Sequence, residues 1–324
     1  KTNNDFLQRR IFMKKLIIAA IVITAICAAT GCMSDNTSSY GNSSPATSNA
    51  AENVAATAAE DETAGKKTQT GLYALSPVHY VAGDPDNKAG LSTEGIGYGF
   101  GVAKGGVPHE ISVNNQKIFE PYGAFCLDTK SEEKVLYLTF DCGYENGFTA
   151  PILDTLKEKK VPATFFLTLD YVESEEGAEM TTRMIKEGHI VGNHSATHRV
   201  FADISRTEMA KDIETCENYL RENFGYSTKY FRFPTGEYSE CALDLVDSIG
   251  YTSVFWSLAY LDYDTENQPN PDEALKTVTD RLHPGAVILL HSVSETNAQI
   301  MGDIIDYARE QGYTFKSLDD YPST

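Results

Sequence analysis

Val135-Leu136-Tyr137-Leu138-Thr139-Phe140-Asp141-Cys142-Gly143-Tyr144-Glu145-Asn146 passes from an apolar run to a cluster of chemically active side chains in two residues. The run is too short for a helix and apolar on both alternating faces. It therefore reads as a strand buried on both sides, over residues 135–140. Six more such runs follow, at residues 163–169, 189–191, 230–233, 251–256, 286–290 and 314–316. Helical segments separate them. Ser205-Arg206-Thr207-Glu208 has the capping-box pattern, Met209, Ile213, Cys216 and Leu220 form one apolar stripe, and Gly225 supplies a stop. Gly188 and Gly250 punctuate two other helix ends. Strands alternating with helices predict an α/β fold with a parallel sheet joined by crossovers, closed as a distorted seven-stranded β/α barrel. Chemistry in such barrels sits at the C-terminal ends of the strands.

The polar residues fall at those ends. Asp141 and Cys142 follow the first strand, His194 and His198 the third, Arg232 lies at the fourth, Asp262 follows the fifth, and His291 closes the sixth. Singly, each has a plain structural use: an Asp can cap a turn, an Arg can make a surface ion pair, a loop Asp can be solvated. Together on one rim they form a reaction centre. His194 and His198 are four apart, so one helical turn can aim both at one metal ion, with Asp141 or Cys142 as third ligand. A metal-activated water attacks an amide carbonyl, a carboxylate takes its proton, and an imidazole protonates the leaving amine. Arg232 can hold the carboxylate ionised. Asp262 can raise the pKa of His291. Backbone N–H groups of the turn after Cys142 can face the developing oxyanion. His79, His109, His189 and His283 read as structural or surface residues.

Upstream, residues 1–12 precede Met13 and are set aside as read-through. Lys14 and Lys15 introduce an apolar stretch over residues 16–29, too short for a comfortable membrane span. It ends in Ala29-Thr30-Gly31-Cys32, which resembles a lipoprotein signal with Cys32 as the lipidated residue; an ordinary signal peptide or an uncleaved anchor is the alternative. Residues 1–32 are thus upstream sequence and signal. Residues 33–70 are rich in Ser, Thr, Asn and Ala and read as a disordered tether. Residues 71–133 form a loop-rich extension packed on the barrel, and residues 134–324 the barrel domain. The expected location is the outer face of a bacterial cytoplasmic membrane. A net charge of −19 argues against nucleic-acid phosphate as a partner and leaves a sugar polymer open. Of six cysteines, Cys126, Cys142, Cys216 and Cys241 remain in the folded part, too few for a disulfide scaffold.

Residues 134–318 resemble the polysaccharide deacetylase family, also called carbohydrate esterase family 4 or the NodB-homology domain. The resemblance is carried by residues 138–149, Leu-Thr-Phe-Asp-Cys-Gly-Tyr-Glu-Asn-Gly-Phe-Thr, and by Phe255-Trp256-Ser257-Leu258-Ala259, His283-Pro284-Gly285-Ala286, Leu289-Leu290-His291 and residues 312–317. These stretches, with Tyr122-Gly123-Ala124-Phe125 in the extension, look most like the delta-lactam-forming muramic acid de-N-acetylases. The resemblance implies a β/α barrel and a divalent metal, usually zinc. It implies Asp141 as base, His194 and His198 as ligands, Arg232 as partner of Asp141, and His291 as acid assisted by Asp262. The implied substrate is N-acetylmuramic acid of peptidoglycan. Two positions depart from the family pattern: Cys142 stands where a ligand Asp is usual, and Tyr263 where a Trp often follows. The Cys either ligates as thiolate or stays out of coordination, leaving metal binding weak or absent. Alternative readings are deacetylation of N-acetylglucosamine in peptidoglycan or chitin-like glycans, a non-catalytic wall-binding lipoprotein, and a two-carboxylate glycosidase.

Overall fold

A computed structural model describes residues 65–322 of the chain. The signal, Cys32 and most of the tether lie outside the described residues. Among the described residues no helix is long and apolar enough to cross a membrane. The packed chain begins before Gly71, because Thr70 is buried and its hydroxyl donates to the Phe224 carbonyl at 2.7 Å.

All seven expected strands form: β1 Val135–Cys142, β2 Thr164–Leu167, β3 Ile190–Asn193, β4 Tyr230–Phe231, β5 Thr252–Ser253, β6 Ala286–His291 and β7 Thr314–Phe315. They make one parallel sheet in the order β5-β4-β3-β2-β1-β6, with β7 pairing to the start of β1. The two edges meet through single bridges rather than a full ladder. Phe125 pairs with Val254 beyond β5, and Leu258 pairs with Ile288 of β6. The extension therefore supplies part of the closure, and the barrel is distorted where it does so.

Side chains alternate along β1. Leu136, Leu138, Phe140 and Cys142 share one core cluster with Ile152, Leu156, Ile304 and Ile305 of the flanking helices. Val135 and Tyr137 belong to the other cluster, with Phe166, Phe231, Val287 and Leu289. Asp141 has the parity of Tyr137 and Thr139, which sends it inward. The helix Arg206–Phe224 starts on the expected capping box, Ser205 with Glu208, and stops at left-handed Gly225. Met209, Ile213, Cys216 and Leu220 are all buried on it. The four described cysteines are buried and free.

Candidate active site

Strand register sets the geometry. Asp141 of β1 is the direct neighbour of His291 of β6, and on its other side of Phe166 of β2. Asn193 is paired with Phe231, so the residues that follow them, His194 and Arg232, emerge side by side.

Arg232 is fully buried and every face of its guanidinium is used. Nη1 donates to Asp141 Oδ1 at 2.8 Å, Nη2 to Thr139 Oγ1 at 2.9 Å and Nε to the Val254 carbonyl at 2.9 Å. The cation lies 4.2 Å from the Phe166 ring centre and 5.6 Å from that of Trp256. A buried charge this fully partnered is tolerated, whereas an unpaired one costs several kcal/mol. Burial pushes the Asp141 carboxyl upward, but Arg232, helped by His194 and His291, outweighs it and holds the group below its ordinary value. Asp141 Oδ2 is left 3.6 Å from His194 Nε2.

Asp262 is fully buried beside His291. Its Oδ1 accepts from His291 Nδ1 at 2.7 Å, and its Oδ2 from the His291 backbone N–H at 2.7 Å and from Asn297 Nδ2 at 2.6 Å. Burial works against protonating His291, but the Asp262 charge and hydrogen bond win, with Asp141 adding to them, and raise its pKa above 6.5. The bond at Nδ1 leaves Nε2 as the nitrogen available to a substrate.

His194 and His198 meet with ring centres 5.0 Å apart. Their spacing of four does not come from a helical turn. The segment after β3 is irregular, with Ser195 at φ 72° and His198 at φ 53°. Two of the chain's left-handed non-glycine residues thus lie in this turn, and a third, Thr235 at φ 60°, follows Arg232. Such backbone persists only where its surroundings hold it. Here Asp212 does so, accepting from the Ala196 N–H at 2.6 Å and from the Thr197 hydroxyl. Ser195 Oγ accepts from the His198 N–H at 2.9 Å.

These two imidazoles fit a divalent metal. His194 Nδ1 is bonded to the Arg232 carbonyl at 2.8 Å, which fixes Nε2 as the free lone pair. Burial, followed by the neighbouring His194, pushes His198 down to about 3, so it is neutral at physiological pH. Cys142 does not fit with them. Its side chain lies in the outer cluster with Phe140, its Sγ accepts from Ser292 Oγ at 3.1 Å, and burial pushes the thiol well above its ordinary value. Among the described residues no three His, Cys, Asp or Glu side chains converge as a metal-holding group.

The structure therefore gathers Asp141, Arg232, His194, His198, Asp262 and His291 on one rim and leaves Cys142 on the far side of β1. Tyr263 packs edge-on to His291, ring centres 5.5 Å apart. Of the other histidines, His79 pairs with Glu214, His109 caps a helix, and His283 bonds Ser257 and the Arg281 carbonyl. The rim also depends on Thr139, Asp212 and Asn297, which the sequence reading did not single out. Two of them carried a signal: Thr139 is a polar residue two before Asp141 on the same strand face, and Asp212 is a carboxylate on the buried side of an amphipathic helix.

A parallel β/α barrel with an Arg-held carboxylate, two neutral imidazoles and an Asp-held imidazole on one rim defines a hydrolase that moves an acyl group to water. The chain belongs to the polysaccharide deacetylase family, metal-dependent hydrolases of N-acetyl groups, whose family model matches residues 128–254. It is 36% identical to the peptidoglycan-N-acetylmuramic acid deacetylase PdaA of Bacillus subtilis over 74% of this chain and 90% of that protein. It is 41% identical to an uncharacterised 30.6 kDa protein of Geobacillus stearothermophilus over 72% and 87% of the respective chains. The solved structure of Bacillus subtilis PdaA, a family 4 carbohydrate esterase, superposes with a TM-score of 0.68 at 37% identity, covering 71% of this chain and 98% of that one.

Proposed function

We propose that this enzyme removes the acetyl group from N-acetylmuramic acid in peptidoglycan. The observation that carries the chemistry is the register pairing of Asp141 with His291, each held by its own buried partner of opposite charge. The likeness to PdaA over nearly all of that protein's length supports the substrate.

Asp141 takes the proton of the attacking water on Oδ2, the oxygen that Arg232 Nη1 does not occupy. Hydroxide adds to the acetamide carbon, with backbone N–H groups of the turn after Cys142 facing the oxyanion. His291 Nε2 then gives its proton to the amine nitrogen as the C–N bond breaks, releasing acetate and a free amine. A divalent metal, zinc in this reading, would be held by His194 and His198 and supplies a Lewis acid for the amide carbonyl. Cys142 takes no part in holding it. Where the muramic acid lacks its peptide stem, the freed amine can condense with the lactyl carboxyl to a delta-lactam. The export signal and a lipid on Cys32 would tether the enzyme beside the wall.

Mass spectrometry of digested peptidoglycan, before and after treatment, tests this reading. The expected result is loss of acetyl from muramic residues. Loss confined to glucosamine residues replaces the substrate assignment with the glucosamine alternative.

A further inference from the structure

A second concavity lies at the other end of the sheet, where the strands begin. It has a volume of about 710 Å³ and its lining includes Lys104, Lys134, Asp280, Arg281, Tyr307 and Tyr313. Lys134 immediately precedes β1, so seven steps along the strand, about 23 Å, separate it from Asp141. It is not part of the reaction centre.

Two of the three cations are held by groups other than carboxylates. Lys134 Nζ donates to the Gln311 carbonyl at 3.2 Å and sits 5.2 Å from the Tyr313 ring centre. Arg281 is partly buried, and Nη1 donates to the Ala259 carbonyl at 2.8 Å. Lys104 stands on a tight hairpin pairing Lys104 with Val107, whose tip residues Gly105 and Gly106 have φ 61° and 74°, the positive values a two-residue turn of this hand needs. Among the described residues none of the three is in an ion pair. The one lining carboxylate, Asp280, pairs with Lys276 at 2.5 Å. Three unpaired cations facing one hollow run against a chain of net charge −19. An anion entering the hollow would meet three cations and one carboxylate that already has a lysine partner.

We propose that this hollow binds an acidic pyranose. The carboxylate or phosphate lies between Lys104, Lys134 and Arg281, and the sugar ring lies against Tyr307, which is 40% exposed. An acidic enzyme is repelled by an anionic wall polymer over most of its surface, and a cationic pocket gives the polymer one place to dock. A docked strand raises the effective concentration of substrate at the other rim without new contacts there.

The test titrates the folded chain with N-acetylmuramic acid, glucose 6-phosphate and neutral N-acetylglucosamine, followed by NMR shifts of the tyrosine rings. Wild type should show saturable shifts with at least one anionic sugar. The double variant Lys104→Gln with Lys134→Gln should weaken that binding at least tenfold. Its acetate release from a soluble acetylated oligosaccharide should equal wild type, and its release from insoluble wall should fall. Tighter binding of the muramic sugar identifies a carboxylate glycan as the ligand, and tighter binding of the phosphate identifies a phosphate-bearing polymer. No saturable shift with either anion, or equal binding by the double variant, overturns the proposal. Loss of acetate release on the soluble oligosaccharide would instead concern the reaction centre, so the two readings fail separately.

Discussion

Arg232 Nη1 donates to Asp141 Oδ1 at 2.8 Å inside a barrel where the arginine has no exposed surface. The pair fixes which carboxylate oxygen is free to act as base. It also makes the ionised carboxylate the stable form: with a folded pKa below the ordinary value, its contribution to stability is present at neutral pH. That contribution is lost as the pH falls through the folded pKa.

Arg232→Ala should leave a buried carboxylate unpaired and cost about 3–5 kcal/mol in urea unfolding. Arg232→Lys keeps the charge but loses the fork that reaches Asp141, Thr139 and Val254 together. It should fold and release acetate about a hundredfold more slowly. Near-wild-type turnover by the lysine variant would remove orientation of Asp141 from the account.

Asp262→Asn should move the other half of the site. Asp262 is what lifts the His291 pKa above 6.5 against burial. A raised folded pKa keeps the imidazole protonated, and its stabilising contribution is lost as pH rises through that value. Without the charge, His291 loses its proton at lower pH. The alkaline limb of the rate profile should shift to lower pH, with about a hundredfold loss near neutrality. An NMR titration of the His291 ring measures the same shift directly, and an unmoved titration contradicts the assignment.

Asp212 touches neither substrate nor metal in this account; it holds the turn that presents the two histidines. Asp212→Ala should weaken metal affinity about 10–100-fold while leaving most of the fold intact. The readout is metal content after dialysis against graded chelator, which a merely structural role would not move.

Cys142 lies across β1 from the two histidines. Cys142→Ala should therefore leave metal stoichiometry unchanged while lowering stability by about 1–2 kcal/mol for the lost packing. Complete loss of metal in a folded Cys142→Ala protein would restore the thiolate as a ligand.

The strands were legible because seven apolar runs, each ending in polar residues, leave few alternatives to a parallel sheet. The rim was legible for the same reason: Asp141 and His291 directly follow a run, and Arg232 is a charge inside one. The choice between the two alternatives for Cys142 turned on one boundary. The first strand was read as ending at Phe140, but it continues to Cys142, so alternation persists and turns Cys142 away from Asp141. The His194 to His198 spacing suggested a helical turn, and only the left-handed backbone at Ser195 and His198, invisible in residue type, brings the rings together. Closure through Phe125 was illegible because single bridges leave no periodic pattern.

The most direct measurement is acetate released from stem-trimmed peptidoglycan by wild type, by wild type with a chelator, and by Asp141→Asn, with the metal content of each protein assayed. The account predicts release by wild type, loss of release with the chelator, and near-abolished release by Asp141→Asn with its metal retained. Undiminished release by a folded, metal-loaded Asp141→Asn protein would contradict it, because the attacking water would then lose its proton to some other group.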